Sequence, residues 1–343
     1  MELDLYGLGR VVGEDGVLPQ RAARLDPSLP LRPGELLIEV ESLNIDAASF
    51  KQLKEESGGS AARIVERITE IVGQRGKMQN PVTGSGGMLI GRVAGVSREH
   101  PKAASLKVGD RIATLVSLTL TPLVLRAVRA IHLEVDRVDV EGHAILFPTG
   151  LFAKLPGDLT DSLALAALDV CGAPALVARY VKPGMRVLVL GAGKSGTLCL
   201  AQARESLGGD GQLVAVDLSP VALETLKALS LCDEALALDA TRAVDVFRAV
   251  ERATHGHLAD LVINCASVPN TEMAAILSAR DGGTVIFFSM ATSFTAAALG
   301  AEGVGKDVQM IVGNGFVPHH ADLTLELLRK HRGLRDLFAQ KYG

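Results

Sequence analysis

KPGMRVLVLGAGKSG (182–196) is the stretch on which the fold turns. A Lys182-Pro-Gly184 turn leads into VLVL (187–190), a run with no polar alternation, as a strand buried on both faces reads. Gly191, Gly193 and Gly196 follow in GxGxxG spacing, and the chain continues from Thr197 to Glu205 as a helix. In that context the first glycine makes the tight turn, the second lets backbone N–H groups approach a pyrophosphate, and the third lets helix pack on strand. The positive end of the helix dipole adds to the same anion site. The next strand, LVAVD (213–217), ends on Asp217, where a carboxylate would accept hydrogen bonds from the adenosine ribose hydroxyls and repel a 2'-phosphate. Leu218 and Ser219 bring no arginine, so NAD is expected rather than NADP. Lys194 either contacts a phosphate or is solvated. Ser195 and Leu218, with Cys265, Ala266, Ser267 and Ser289 at the ends of later strands, complete the expected nucleotide site. A plainer reading, an ordinary turn with Asp217 capping the helix at Pro220, accounts for each feature singly but not for their joint register.

Outward from this motif, strand and helix alternate from about residue 160: EALALD (234–239), DLVINCA (260–266), TVIFFS (284–289) and DVQMIVG (307–313) continue the series. Such alternation predicts a doubly wound parallel sheet of the Rossmann kind. Leu163 to Tyr180 reads as a helix strained at Pro174, and His319 to Tyr342 as a helical tail. The first 150 residues read differently. LLIEVESLNI (36–45), GGMLIGRVAGV (86–96) and VGDRIATLVSL (108–118) are strands between Gly, Pro and Asp punctuation, interrupted by a helix over Ala61–Val72. MQNPVTGSGG (78–87) is too rich in glycine, with one proline, for regular structure and is a loop. The expected fold class is therefore α/β, with a mixed β domain over 1–158, a Rossmann NAD-binding domain over 159–318 and a tail over 319–343.

Composition limits the partners. Hydrophobic residues make up 48% of the 343, with 3% aromatic and no Trp, so the cores are built from Val, Leu, Ile and Ala. A net charge of -4 without long like-charged blocks gives no footprint for nucleic acid or an anionic membrane, and a small-molecule partner is expected. Cys171, Cys199, Cys232 and Cys265 form neither a CxxC pair nor a disulfide framework and read as reduced thiols of a cytoplasmic protein, Cys171 as a core residue. MELDLYGLGR is too acidic for a secretory signal, and no run approaches the roughly 18 to 20 apolar residues of a membrane span.

A mixed β domain followed by KPGMRVLVLGAGKSG resembles the medium-chain dehydrogenase/reductase family. LRPGELLIEVESLNID is similar to that family's early strand and catalytic loop, and LKVGDRIATL to its GDRV segment. The resemblance implies a GroES-like first domain. It fails at the metal: Asn44 stands where zinc-dependent members carry Cys, and Gly87 and Met88 where they carry His-Glu. With no closely spaced cysteines for a structural zinc either, no metal is expected. GKMQNPVTGSGGMLIGRV, with SLNIDAASF before it, is similar to a zinc-free branch of the family, the 3,5-diaminohexanoate dehydrogenases of lysine fermentation. That resemblance implies NAD-dependent oxidative deamination of a diamino acid to (S)-5-amino-3-oxohexanoate and ammonia, in a homo-oligomer, a dimer by likeness to the family.

Oxidising an amine requires a base that takes the ammonium proton before the C–H bond breaks, and a substrate with two ammonium groups calls for a carboxylate in its site. Asp46, Asp169 and Asn44 are the expected catalytic residues, and Asn80, Thr83 and Ser85 the expected substrate-binding donors. Each has an alternative: the two aspartates cap helices, and the loop residues make their own turns. Two other functions stay open, a zinc-independent quinone, enone or carbonyl reductase, against which Asp217 counts, and an NAD-binding protein without turnover.

Overall fold

In a computed structural model residues 3–342 are described, and the chain divides into two compact units that meet between Gly157 and Asp158. The first unit is built on β1 (Leu36–Asn44), followed by helices α1 (Ala47–Glu56) and α2 (Ala61–Arg75). Strands β2 (Met88–Val96), β3 (Arg111–Thr114), β4 (Leu123–His132), β5 (Arg137–Leu146) and β6 (Phe152–Lys154) complete one antiparallel sheet in the order β4-β5-β1-β2-β3-β6.

The core of this unit is the face on which Leu36, Ile38 and Val40 pack against Phe50 and Leu53 of α1 and Ile64, Ile68 and Ile71 of α2. Strand side chains alternate between faces, so Asn44 would join that face if the register ran through. It does not: β1 slips between Val40 and Ser42 against both β2 and β5. The bulge transfers the buried positions to Leu43 and Ile45 and turns Asn44 toward the opposite face. The segment 108–118, expected as one strand, keeps only Arg111–Thr114 extended. Ser117 ends the run by accepting from the Thr119 N–H at the start of a short 3-10 turn. The β4–β5 hairpin and α1 were not expected; the hairpin is half exposed and mixes charged with apolar residues on both strands, which blurs its alternation.

The second unit opens with α3 (Asp161–Leu168) and α4 (Gly172–Tyr180), which meet at 51°. The break falls between them rather than at Pro174. As the third residue of α4, that proline lacks an N–H only where a helix has no internal acceptor for one. Then come β7 (Arg186–Leu190), α5 (Lys194–Leu207), β8 (Gln212–Asp217), α6 (Pro220–Ala228), β9 (Glu234–Ala237), α7 (Ala243–Ala253), β10 (Ala259–Asn264), α8 (Glu272–Ser278), β11 (Ala279–Phe287), α9 (Phe294–Gly303) and β12 (Val308–Val312). All six strands run parallel in the order β12-β11-β10-β7-β8-β9, the doubly wound order with its switch point beside β7. The tail is two helices, α10 (His320–Lys330) and α11 (Arg332–Tyr342), packed on α3, α4 and α5 of the same unit. Among the described residues no single helix is long and apolar enough to cross a membrane.

Candidate functional site

In the second unit the glycine motif occupies the turn between β7 and α5. Gly191 has φ +90°, and a Cβ there would lie 2.8 Å from the Ala266 nitrogen. A Cβ on Gly196 would lie 1.8 Å from the Gly191 carbonyl oxygen. Both glycines are therefore required by the close approach of backbone to backbone. Gly193 differs: nothing lies within 4 Å of its missing side chain, and it is exposed. That open position at the start of α5, with the helix's first N–H groups beyond it, fits a pyrophosphate. Lys194 and Ser195 form the first turn, half-buried.

Asp217 does not cap α6; Ser219 does, accepting from the Ala222 N–H. The Asp217 carboxylate instead accepts from the Ala192 N–H at 2.6 Å and from the Ser219 N–H at 2.8 Å. It is thereby held against the glycine turn, where a ribose diol would lie beside a bound pyrophosphate. Leu218 is exposed beside it. Cys265, Ala266 and Ser267 follow β10 rather than belonging to it, and Ser289 follows β11. Asn264 organises this edge: its side chain donates to Thr271 Oγ1 and accepts from the Ala266 N–H, and its carbonyl accepts from the Ser289 N–H. The Cys265 sulfur lies 3.9 Å from that of Cys199 inside the unit, so Cys265 faces the interior. Burial pushes the Cys199 thiol well up, and lifts buried Cys171 to about 12, which keeps both as inert thiols.

Lys194 Nζ pairs with Asp169 at 2.8 Å and lies over the Tyr342 ring at 5.5 Å. Asp169 is the C-cap residue of α3, so its carboxylate stands at the negative end of a helix and Lys194 compensates it.

In the first unit the expected residues gather around one end of β1. Asp46 is the N-cap of α1, its Oδ1 accepting from the Ser49 N–H at 3.0 Å. Its Oδ2 is buried, as is Asn44 Oδ1, and among the described residues neither has a hydrogen-bond partner. Gly87 closes the 78–87 loop onto this turn with φ +106°; a Cβ there would lie 2.0 Å from the Asn44 carbonyl oxygen and 2.8 Å from the Asp46 nitrogen. Asn80 is fully buried and spent on the loop. Its Nδ2 donates to Gln52 Oε1 at 2.8 Å and to the Ser49 carbonyl, and its Oδ1 accepts from the Val82 and Thr83 N–H groups. Thr83 and Ser85 form a triangle of hydroxyls with Ser49, at 2.6, 2.8 and 3.1 Å, running from buried Ser49 to exposed Thr83. Ser49 was not anticipated. Its signal is its place three residues after Asp46, an N-cap spacing that becomes informative only once 47–56 is recognised as a helix.

Among the described residues no three His, Cys, Asp or Glu side chains gather. The donors at the positions of interest are a carboxamide at Asn44, a thioether at Met88 and none at Gly87. Such a set is a poor match to zinc, which favours Cys, His and carboxylate ligands. Prolonged chelation is expected to leave turnover unchanged, with less than one zinc per chain by elemental analysis. Stoichiometric zinc lost together with activity would contradict it.

The family described as L-erythro-3,5-diaminohexanoate dehydrogenase N-terminal domain matches residues 9–156. The L-erythro-3,5-diaminohexanoate dehydrogenases of Acetoanaerobium sticklandii and of Fusobacterium nucleatum subsp. nucleatum are each 49% identical to the chain over 338 residues, 98% of either sequence. Among solved structures, a mycobacterial quinone oxidoreductase superposes with a TM-score of 0.56 at 20% identity, over 95% of this chain and 93% of that one. That likeness concerns the fold, a GroES-like unit followed by a Rossmann unit.

Proposed function

Since the chain belongs to the L-erythro-3,5-diaminohexanoate dehydrogenase family, we propose that it oxidatively deaminates (3S,5S)-3,5-diaminohexanoate at C3, with NAD taking the hydride and water then hydrolysing the C3 imine to (S)-5-amino-3-oxohexanoate and ammonia. The observation that carries this reading is the pair of buried acceptors without partners, Asn44 Oδ1 and Asp46 Oδ2, two residues apart. A buried polar atom without a partner costs about 1 to 3 kcal/mol, and an ammonium group has three donors with which to offset two such costs.

The chain's own residues then divide the work. Asp46 Oδ2 takes the proton that the reacting ammonium must lose, while Oδ1 stays engaged with the helix. Asn44 Oδ1 orients the nitrogen. Asn80 and Gly87 hold the loop against this turn, and the Ser49, Thr83 and Ser85 hydroxyls tie the loop to the first turn of α1. Gly191, Gly193, Lys194, Ser195, Gly196 and Asp217 would hold the cofactor, which when bound accepts the hydride from substrate carbon. In this reading Asp169 positions Lys194. The enzyme is a cytoplasmic homodimer acting on a small molecule, with no nucleic-acid or membrane partner.

The test is NADH absorbance and ammonia release with 3,5-diaminohexanoate beside a panel of simple alcohols, quinones and enones. Equal amounts of NADH and ammonia from the diamino acid, with alcohols inert, are expected. Reduction of quinones or enones without ammonia from any diamino acid would replace this reading. For the cofactor, the native protein should bind NAD at least tenfold better than NADP, and Asp217→Ala should narrow the gap. Equal affinities in the native protein would remove Asp217 from the ribose.

A further inference from the structure

Resting on that reaction, we propose that Arg137 is the anchor for the substrate's carboxylate. Arg137 opens β5 directly opposite Asn44 in the antiparallel β1–β5 pair. Opposed residues share a face, with Cβ atoms roughly 5 Å apart. The bulge in β1 puts Asn44 on the face away from the core, and Arg137 and Asp139 lie on that same face, because Val138 and Val140 between and beyond them are in the core.

The charges on this face are otherwise matched. Arg92 and Arg111 converge on Glu41, one on each carboxylate oxygen, and Arg129 pairs with Glu141. At the Asn44 end, Arg137 and His132 share one carboxylate: His132 Nε2 lies 2.7 Å and Arg137 Nε 3.0 Å from Asp139. The guanidinium is poorly satisfied there. Its Nε is buried without an aligned acceptor, and its Nη2 faces the ring nitrogen of His132 at 3.1 Å. One end of the sheet thus holds two unpartnered acceptors, on Asn44 and Asp46, and, across the strand from Asn44, a cation that shares its one carboxylate with His132.

A β-amino acid is the matching solute. Its carboxylate lies two carbon–carbon bonds from the carbon that bears the amine, so the two charged groups stand roughly 4 Å apart. A cation on the neighbouring strand and the same face is therefore placed for the carboxylate when the amine sits at Asn44. With the reacting nitrogen at Asn44 and Asp46, the carboxylate falls at Arg137, and C3 rather than C5 is presented for oxidation. Arg137 is thereby a determinant of which amine reacts.

The test compares 3,5-diaminohexanoate with its neutral amide, 3,5-diaminohexanamide, in the native protein and in Arg137→Gln and Arg137→Lys, by steady-state kinetics and by calorimetry with NADH present. Arg137→Gln should raise KM and Kd for the acid on the order of 10- to 100-fold and leave those for the amide and for NAD within about twofold. Arg137→Lys should recover part of the loss, since it keeps the charge but not the fork. Equal losses for acid and amide, or no loss for either, would overturn the anchor. Carboxylate-selective binding that depends on Arg137 but yields no ammonia would keep the anchor and overturn the reaction.

Discussion

Asp46→Asn is expected to lower kcat by about 10² to 10⁴ while leaving NAD affinity and thermal stability nearly unchanged. The two carboxylate oxygens have separate tasks. Oδ1 caps α1 through the Ser49 N–H, and Asn caps a helix about as well as Asp, so the substitution preserves the helix and the position of the loop on it. Oδ2 has no partner and is the atom assigned to proton removal. In Asn that position carries either an oxygen too weakly basic to take the proton or an NH₂ that faces an ammonium donor to donor. Steady-state kinetics, NAD titration and a melting curve on one preparation decide the matter. A variant with normal kcat would make Asp46 a cap and nothing more. A variant that lost kcat and melted early would show a structural collapse in place of a chemical one. Asp46→Ala, by contrast, removes both tasks and should cost a further ~1 kcal/mol of stability.

Gly87→Ala is expected to cut turnover at least 100-fold without weakening NAD binding. The methyl group would lie 2.0 Å from the Asn44 carbonyl oxygen and 2.8 Å from both the Asp46 nitrogen and the Ile45 Cα, and φ +106° is itself unfavourable for alanine. All three neighbours are backbone, so none can swing aside as a side chain would. The loop and the Asn44–Asp46 turn must separate, and a displacement of about 1 Å at a reacting group is enough for a loss of that size. Strain of this kind also costs about 1 to 3 kcal/mol, so a lower melting temperature should accompany the loss. NAD titration separates the two units: the glycine turn, Asp217 and the parallel sheet all lie beyond Asp158. Retained turnover in Gly87→Ala would mean that the loop does not position the acceptors.

The nucleotide half was legible in the letters because its determinants are local. An apolar run, three glycines in fixed spacing and an acid at the end of the next strand are set by backbone sterics within about thirty residues, and the Rossmann order follows from strand and helix in alternation. The residue types Asn44, Gly87 and Met88, which the family resemblance sets against zinc-ligand positions, are likewise given by the sequence outright.

What the letters could not supply was long-range. The alternation in LLIEVESLN breaks between Val40 and Leu43, but only the register against β2 and β5 shows that a bulge there turns Asn44 out of the core. That Asp169 and Tyr342 stand beside Lys194 is likewise set by the fold and not by neighbouring letters. Asn80 looked like a donor for substrate, yet burial and four hydrogen bonds consume it in holding the loop. Arg137 gave no sign at all, because its hairpin carries no clean period and its meaning lies in the residue across the sheet. Sequence by itself determined the fold and the nucleotide motif, which local sterics and hydrophobic patterning dictate. Tertiary structure alone decided which polar atoms are left without partners, because satisfaction of a buried donor or acceptor depends on every element packed around it.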